Sequence, residues 1–306
     1  MREWLDAGYH ASMAWMANPA VREDPAALLP GAVSVVMVGW NTWSPAACPG
    51  PGEGRIARYA LHPDYHRFMR RRLLRLLRAI QAEAPCRARI CVDAQPLLER
   101  SFARDAGLGW IGAHSCLITP AFGSWLLLGA LILDLPLAPD APQPARCGTC
   151  TRCLPSCPTG AILAPGVVDA NRCIAYLTIE HAGSIPVELR PAIGDWLFGC
   201  DLCQEACPWD RFATAAGAPV PRLAGVQRAE AMLAHTEDSF RAAFAGTPLI
   251  RAGRARLARN AAVVLGNLGD AAARPALERA RAADPDAIVR EHAGWALDRL
   301  AESAGC

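Results

Sequence analysis

The chain has 306 residues, 52% of them hydrophobic and 20% charged, which is the composition of a soluble globular protein with room for two or three domains and a substantial core. A net charge of only +2 excludes attraction to a polyanion by the molecule as a whole, so any such affinity rests on local patches. Every cation in those patches is Arg, because the sequence holds no Lys, which reads as a compositional bias.

In chain order, residues 1–135 read as α/β or α+β. Apolar runs at 33–38, 89–92 and 125–133 predict strands, and helical periodicity covers 64–84 and 96–106. The run at 125–133 is the longest, and it is too short to cross a bilayer, which takes about 20 apolar residues. On the first helix Arg67, Arg71, Arg75 and Arg78 fall on one face, with Met69, Leu73, Leu76 and Ile80 expected on the other. Such a face is usually a solvated surface, with phosphate binding as the alternative. A Pro-rich stretch at 136–144 predicts a stiff linker. A cysteine-rich region of about 147–210 follows, then a second linker at 213–221. From Arg222 the chain is rich in Ala, Leu and Arg and predicts an all-helical region with a loose repeat between the segments starting at Arg259 and Arg290, its turns at Gly269-Asp270 and Asp284-Pro285.

The cysteines carry the strongest chemical signal. One run is Cys147-x2-Cys150-x2-Cys153-x3-Cys157-Pro158, and a second is Cys200-x2-Cys203-x3-Cys207-Pro208. These are the spacings of a chain folded around two [4Fe-4S] clusters, in which close steps reach different irons of one cubane and the last Cys of each run crosses to the other cluster. The second run is one ligand short, and Cys173 is the only thiol between the runs. Cys147, Cys150, Cys153 and Cys207 are therefore assigned to one cluster, and Cys157, Cys173, Cys200 and Cys203 to the other. A zinc ion would leave four of the eight unexplained. Disulfides suit secreted scaffolds, whereas this chain opens without an apolar signal stretch. Cys48, Cys86, Cys91, Cys116 and Cys306 remain outside the set, and free thiols in that number suit a reducing cytoplasm.

Other motifs are weaker. Gly107-Leu-Gly109-Trp-Ile-Gly112 matches a dinucleotide fingerprint but follows a helix and precedes the strand-like 116–119, the wrong context for one. Asp64-Tyr65-His66 shares the start of a cobalt-ligating pattern, but Met69 stands where its glycine is required, so His66 is expected to be a surface or packing residue of the helix start. Arg251, Arg254, Arg256 and Arg259 cluster at a helix entry, where Arg forks and oriented N–H groups suit phosphate.

Taken together, several segments resemble epoxyqueuosine reductases, the family that performs the last step of queuosine synthesis in tRNA. They are the stretch from Trp4 to His10, Arg22-Glu-Asp-Pro25, Leu28-Leu-Pro-Gly31, Asp64-Tyr-His66, Val92-Asp-Ala-Gln-Pro-Leu-Leu-Glu-Arg100, Gly107 to Gly112, Phe122-Gly-Ser-Trp125, both cysteine runs, Cys173 to His181, and Arg259-Asn-Ala-Ala262. The resemblance spans nearly the whole chain. It implies an α+β protein: a cobalamin-binding α/β catalytic domain (1–135), a ferredoxin-like domain with two [4Fe-4S] clusters (136–210), and a C-terminal α-helical HEAT-like region (222–306) that contacts tRNA. The family usually has a further strand and helix ahead of the segment that opens this chain, so the N-terminus is expected to be short. After Gly112 it tends to have Lys-Asn, where this chain has Ala113-His114.

The implied reaction reduces the epoxide of epoxyqueuosine at the tRNA wobble position to the alkene of queuosine. It consumes two electrons and two protons and releases the oxygen as water. Clusters pass single electrons, and cobalamin is implied as the group that attacks the epoxide or transfers electrons to it. The departing oxygen needs a general acid, and Asp93, at the end of the 89–92 strand, matches the family's proposed donor. Burial beside the corrin is expected to raise its pKa; the alternative role is a cap for the 96–106 helix. By position, cobalamin contacts are expected from Arg22, Asp93, His114, Ser115, Leu117, Ser124, Leu128, Ala175 and Asp201. The tRNA contacts are expected from His181 with Arg251, Arg254, Arg256 and Arg259. A flavodoxin or ferredoxin is the expected external electron donor, and a cytoplasmic monomer the expected form. The rival readings are a cobalamin-dependent reductive dehalogenase, which generally carries a paired-arginine export signal and lacks the helical tail, a ferredoxin-type electron carrier, and a nucleic-acid-binding helical protein with structural clusters.

Overall fold

The three apolar runs of the first third become one antiparallel sheet. Its centre is the strand Leu126–Leu133, flanked by Ser34–Asn41 and Ala88–Cys91. Residues 129–133 are buried, so this strand reads as a continuous apolar run rather than an alternating one. Leu131 and Leu133 pack against Met69, Leu73 and Leu77 of the helix Tyr65–Glu83 on one face. Ala130 and Ile132 pack with Ala103 and Phe102 of the helix Glu99–Asp105 on the other. Antiparallel pairing makes the fold α+β. The helix approaches closely because position 129 is Gly: a Cβ there would lie 3.0 Å from Met69 Cε. One expected core residue is corrected. Leu76 is 38% exposed and Leu77 takes its place, since the buried row steps by four from Met69 and Leu76 lies about 100° away from Leu77 around the axis.

A computed structural model of the chain describes residues 1–304, with side chains through residue 302; Cys306 lies outside the described residues. The 107–112 segment leads into a tight hairpin of Trp110–Ile111 with Leu117–Ile118, as its context predicted. Its glycines serve close packing: a Cβ on Gly109 would fall 2.0 Å from the Ile118 carbonyl oxygen. The Pro-rich linker has no helix or strand and is fastened to the first region, with Gln143 Nε2 donating to Gly107 O (2.9 Å) and Leu137 N–H to Ser34 Oγ (3.0 Å).

The region from 222 is not all helical. Val226–Arg228 is a strand that pairs antiparallel with Glu53–Ile56, which pairs in turn, parallel, with Trp196–Phe198. Each of the three regions thus gives one strand to a single small sheet. Its closeness depends on Gly54, where a Cβ would meet Leu197 Cγ at 2.6 Å and Asp195 O at 2.8 Å. Beyond it run the helices Ala229–Ala234, Glu237–Phe244, Arg254–Leu268, Arg274–Ala283 and Ala287–Ala304. Gly269, left-handed at φ +68°, ends one helix and Asp284 another, at the predicted turns. Ile56 and Leu61 share a core with Leu197, Phe198, Leu257, Ala261 and Leu265, so the three regions are continuous inside.

Candidate active site at the junction of three regions

The strand Ala88–Cys91 runs out into a turn that places Asp93 in the left-handed region, φ +57°. A non-glycine residue held there costs on the order of 1–3 kcal/mol and persists only where its surroundings enforce it. Here two side chains do so. Gln95 Oε1 accepts Val92 N–H (2.8 Å), and Glu99 Oε1 accepts Asp93 N–H (2.7 Å). The Asp93 side chain, 57% exposed, turns toward the start of the long helix, where its Oδ2 accepts from Tyr65 Oη–H at 2.6 Å and faces His66 Nε2 at 3.0 Å.

This geometry corrects two expectations. Asp93 caps no helix, since Glu99–Asp105 begins after Leu98 without a side-chain cap and Asp93 instead offers its own N–H to Glu99. Nor is its pKa raised. The hydrogen bond with His66 outweighs burial, and with the Tyr65 hydroxyl and the Arg251 charge it holds the carboxyl below the usual range. Glu99 goes the other way: burial, aided by the Asp93 charge, pushes it up to about 7.

His66 is likewise more than a surface residue. Its Nδ1 lies 2.9 Å from Asp64 Oδ1, and its Nε2 lies 2.9 Å from Arg251 Nη1 as well as beside Asp93. His66 thus links Asp64, Asp93 and Arg251 in one chain of polar contacts. Tyr65 stays a donor, because burial, then the Asp93 charge, raises its hydroxyl far above its ordinary value. Tyr59, partly buried, packs edge-on to Tyr65 at 6.2 Å. From the cysteine-rich region Glu180 adds charge near Asp93, and Arg251 comes from the helical region. The cleft is therefore built by three regions. His66, Tyr65 and Glu99 were missed as site residues; their only signal was their place in two of the family-like segments.

The eight cysteines lie near one another in two groups. Cys153 has Cys207, Cys147 and Cys150 as charged neighbours, while Cys200 and Cys203 have Cys173 and Cys157. Cys116, left outside the set, also borders Cys203 and Cys173. Among the described residues no three His, Cys, Asp or Glu converge closely enough for a single metal ion. Thiolates gathered in this way repel one another unless a cationic group lies among them. Cys157 Sγ already accepts Ala161 N–H at 3.3 Å.

The residues expected at a corrin divide. His114 and Ser115 present unpartnered polar atoms: the buried His114 Nε2 and Ser115 Oγ, the latter on a residue at φ +67° whose carbonyl accepts from Arg100. Ala175 and Leu128 are half-buried, and Ser124 is buried. Arg22 donates to Trp15 O at 2.9 Å. Leu117 and Asp201 are packed inside; Asp201 accepts Arg58 N–H at 2.8 Å, and burial pushes its carboxyl up to about 7.

The arginine cluster is corrected more strongly. Arg254 makes a buried two-pronged pair with Asp284 (2.9 and 2.8 Å). Arg259, 1% exposed, donates to the carbonyls of Leu177, His181 and Gly183 at 2.6–2.7 Å. Both are interior ties: Arg259 has its N–H groups engaged, with Asn260 accepting the remainder, and Arg254 is buried against Asp284. Arg251 points to His66, and Arg256 donates to Ile179 O while remaining partly open. His181 is half-buried, with Nε2 at 2.9 Å from Ser184 O. By contrast Arg67, Arg71, Arg75 and Arg78 are exposed, and none makes a hydrogen bond or ion pair among the described residues.

Two thiol quartets joined to a polar cleft of Tyr65, His66 and Asp93 define an iron–sulfur oxidoreductase. Residues 146–210 match the family described as 4Fe-4S double cluster binding domain, and residues 22–94 match the one described as Epoxyqueuosine reductase QueG, DUF1730. Over 97% of its length the chain is 47% identical to the epoxyqueuosine reductase of Xanthomonas campestris, 87% of which is covered. A crystal structure of epoxyqueuosine reductase with an epoxyqueuosine-modified tRNA-Tyr stem loop superposes with a TM-score of 0.88 at 30% identity, covering 98% of this chain and 83% of that one. The Bacillus subtilis enzyme, solved with its catalytic aspartate loop swung out of the active site, gives 0.86 at 29%, covering 94% and 80%. The chain belongs to the epoxyqueuosine reductase family.

Proposed function

We infer that this chain reduces epoxyqueuosine in tRNA to queuosine, with electrons passing through two [4Fe-4S] clusters held by Cys147, Cys150, Cys153 and Cys207 and by Cys157, Cys173, Cys200 and Cys203. The observation that carries the reading is the Tyr65–His66–Asp93 constellation in a cleft to which the cysteine-rich region also contributes. Asp93 lies at the open side of the cleft with His66 Nε2 3.0 Å away, so the pair is placed to deliver a proton to the epoxide oxygen as its C–O bond breaks. Tyr65 orients the carboxylate. The rest of the balance is two electrons from the external donor, a flavodoxin or ferredoxin, and a second proton, with the oxygen leaving as water.

Cobalamin is proposed as the group that meets the carbon. When bound it supplies a low-potential cobalt centre able to bond to or reduce carbon. The unpartnered His114 Nε2 and Ser115 Oγ fit a ligand rimmed with amides, and Arg22, Ser124, Leu128 and Ala175 are the further candidates. For RNA we propose that Arg67, Arg71, Arg75 and Arg78 meet phosphates, joined by Arg256 and His181. That row starts beside His66, and its i, i+4 steps of about 6 Å suit successive backbone phosphates. The helical region is proposed as HEAT-like and the protein as a cytoplasmic monomer. No helix among the described residues is long and apolar enough to cross a membrane.

The test is anaerobic reconstitution with iron, sulfide and cobalamin, chemical reduction, and nucleoside analysis of tRNA carrying epoxyqueuosine. Conversion to queuosine with retained corrin absorption is expected. Clusters without corrin retention or conversion would leave a ferredoxin-type carrier as the better account.

A further inference from the structure

We propose that Glu99 is the latch of the Asp93 turn, a positioning residue whose carboxylate, by accepting the Asp93 N–H, keeps that carboxylate aimed at Tyr65 and His66. The inference rests on the proposed reduction for its kinetic consequence but not for its structural one. Four observations converge on it. Asp93 sits at φ +57°, a conformation that the chain does not keep unaided. Glu99 Oε1 is 2.7 Å from Asp93 N, so the acceptor lies at the strained residue itself. Glu99 opens the helix Glu99–Asp105, which packs on the central sheet through Ala103, so the latch is mounted on a rigid element while the turn it holds is a loop. Gln95 holds only the preceding N–H, that of Val92, and rides on the loop itself. In the Bacillus subtilis relative a catalytic aspartate loop has been captured swung out of the active site, so a loop with two positions is physically available to this fold.

The groups facing Glu99 set how the latch responds to its surroundings. Asp93 and Cys91 stand near it as acidic groups, and Arg100 and His66 as basic ones. Burial outweighs them and pushes the Glu99 carboxyl up to about 7. A carboxylate is a stronger acceptor than a carboxylic acid, so the latch is firm above that value and loosens as pH falls through it.

Three variants read this out. In Glu99→Ala the acceptor is gone: amide hydrogen exchange across residues 93–98 accelerates, and single-turnover conversion falls on the order of 100-fold with little change in affinity for tRNA, as expected for a misplaced catalytic group. In Glu99→Gln an amide oxygen still accepts the N–H, so exchange protection and most of the rate return. That variant cannot titrate at position 99, so the ratio of its rate to that of the native enzyme rises as pH drops from 8 to 6. Asp93→Gly, at ease with positive φ, keeps slow loop exchange only while Glu99 is present. Native exchange in Glu99→Ala, or a Glu99→Gln ratio flat with pH, overturns the latch. Absence of conversion by the native enzyme would instead overturn the proposed reaction, with the exchange measurements still deciding on Glu99.

Discussion

Tyr65 donates its hydroxyl to the Asp93 carboxylate across 2.6 Å, tying the first turn of the long helix to the turn that ends the third strand of the sheet. The phenol is held protonated by burial, so the bond works in one direction only. This makes the carboxylate's orientation independent of whether its proton is in place.

Asp93→Asn preserves shape and tolerance of positive φ but carries no transferable proton. Conversion is expected to fall by roughly two to four orders of magnitude with iron content, corrin retention and tRNA affinity unchanged. Because Asp93 caps no helix, thermal stability should not drop by the ~1 kcal/mol of a lost cap. Near-native conversion by a fully loaded variant would remove Asp93 from the chemistry.

His66→Asn removes the principal cause of the depressed Asp93 pKa. The carboxyl then titrates nearer its ordinary value, and the limb of the pH–rate profile that follows Asp93 moves to higher pH. An unmoved limb would mean that His66 does not hold the Asp93 carboxyl down.

Cys173→Ser and Cys207→Ser should each damage a different cluster. Native protein is expected to hold about eight irons and each variant to lose up to half, with complementary changes in the cluster spectra. Identical spectra from the two variants would break the quartet assignment.

Arginines in two places should respond differently. Arg71→Ala with Arg75→Ala should flatten the dependence of log affinity for tRNA on log salt by roughly one unit per contact, while folding is unaffected. Arg254→Ala should leave that slope alone and cost about 3–5 kcal/mol of stability, since it strands Asp284 in the interior. A reversal of the two results would restore the arginine cluster as the RNA surface.

His292 links pH to the seam between regions. It accepts Ile185 N–H at 3.1 Å, and burial holds its imidazole below the ordinary 6.5. The folded state therefore binds this proton less readily than the unfolded one, and its contribution is complete above about 6.5 and lost as pH falls. Each pH unit in that window removes up to ~1.4 kcal/mol, and His292→Gln should flatten the thermal-stability profile there.

The parts legible in the sequence were those in which a local pattern carries the physics. Cysteine spacing encodes which thiols can share a cluster, and apolar runs at 33–38, 89–92 and 125–133 encode strands whichever way they pair. Convergence of distant elements left no such mark. Arg251 meets His66 across 185 positions, and Glu99 reaches back to Asp93 only because a left-handed turn lies between them. Spacing could not separate Arg254 and Arg259 from surface cations either. Their partners, Asp284 and the carbonyls of 177–183, become neighbours only once the helices pack. Leu76 and Leu77 differ by one step of a helix whose row of fours only the sheet beneath it selects.

The three-stranded sheet that takes Glu53–Ile56, Trp196–Phe198 and Val226–Arg228 from separate regions has a consequence for assembly. No single region owns that sheet, and its first strand must wait during synthesis until about 170 further residues have emerged before its neighbours exist. Domains cut at 135 or 210 would each carry an unpaired edge and part of the shared apolar core, inviting aggregation. The intact chain is accordingly suited to melt in one cooperative transition, so that loss of the cleft and loss of the clusters' protein cage are the same thermal event.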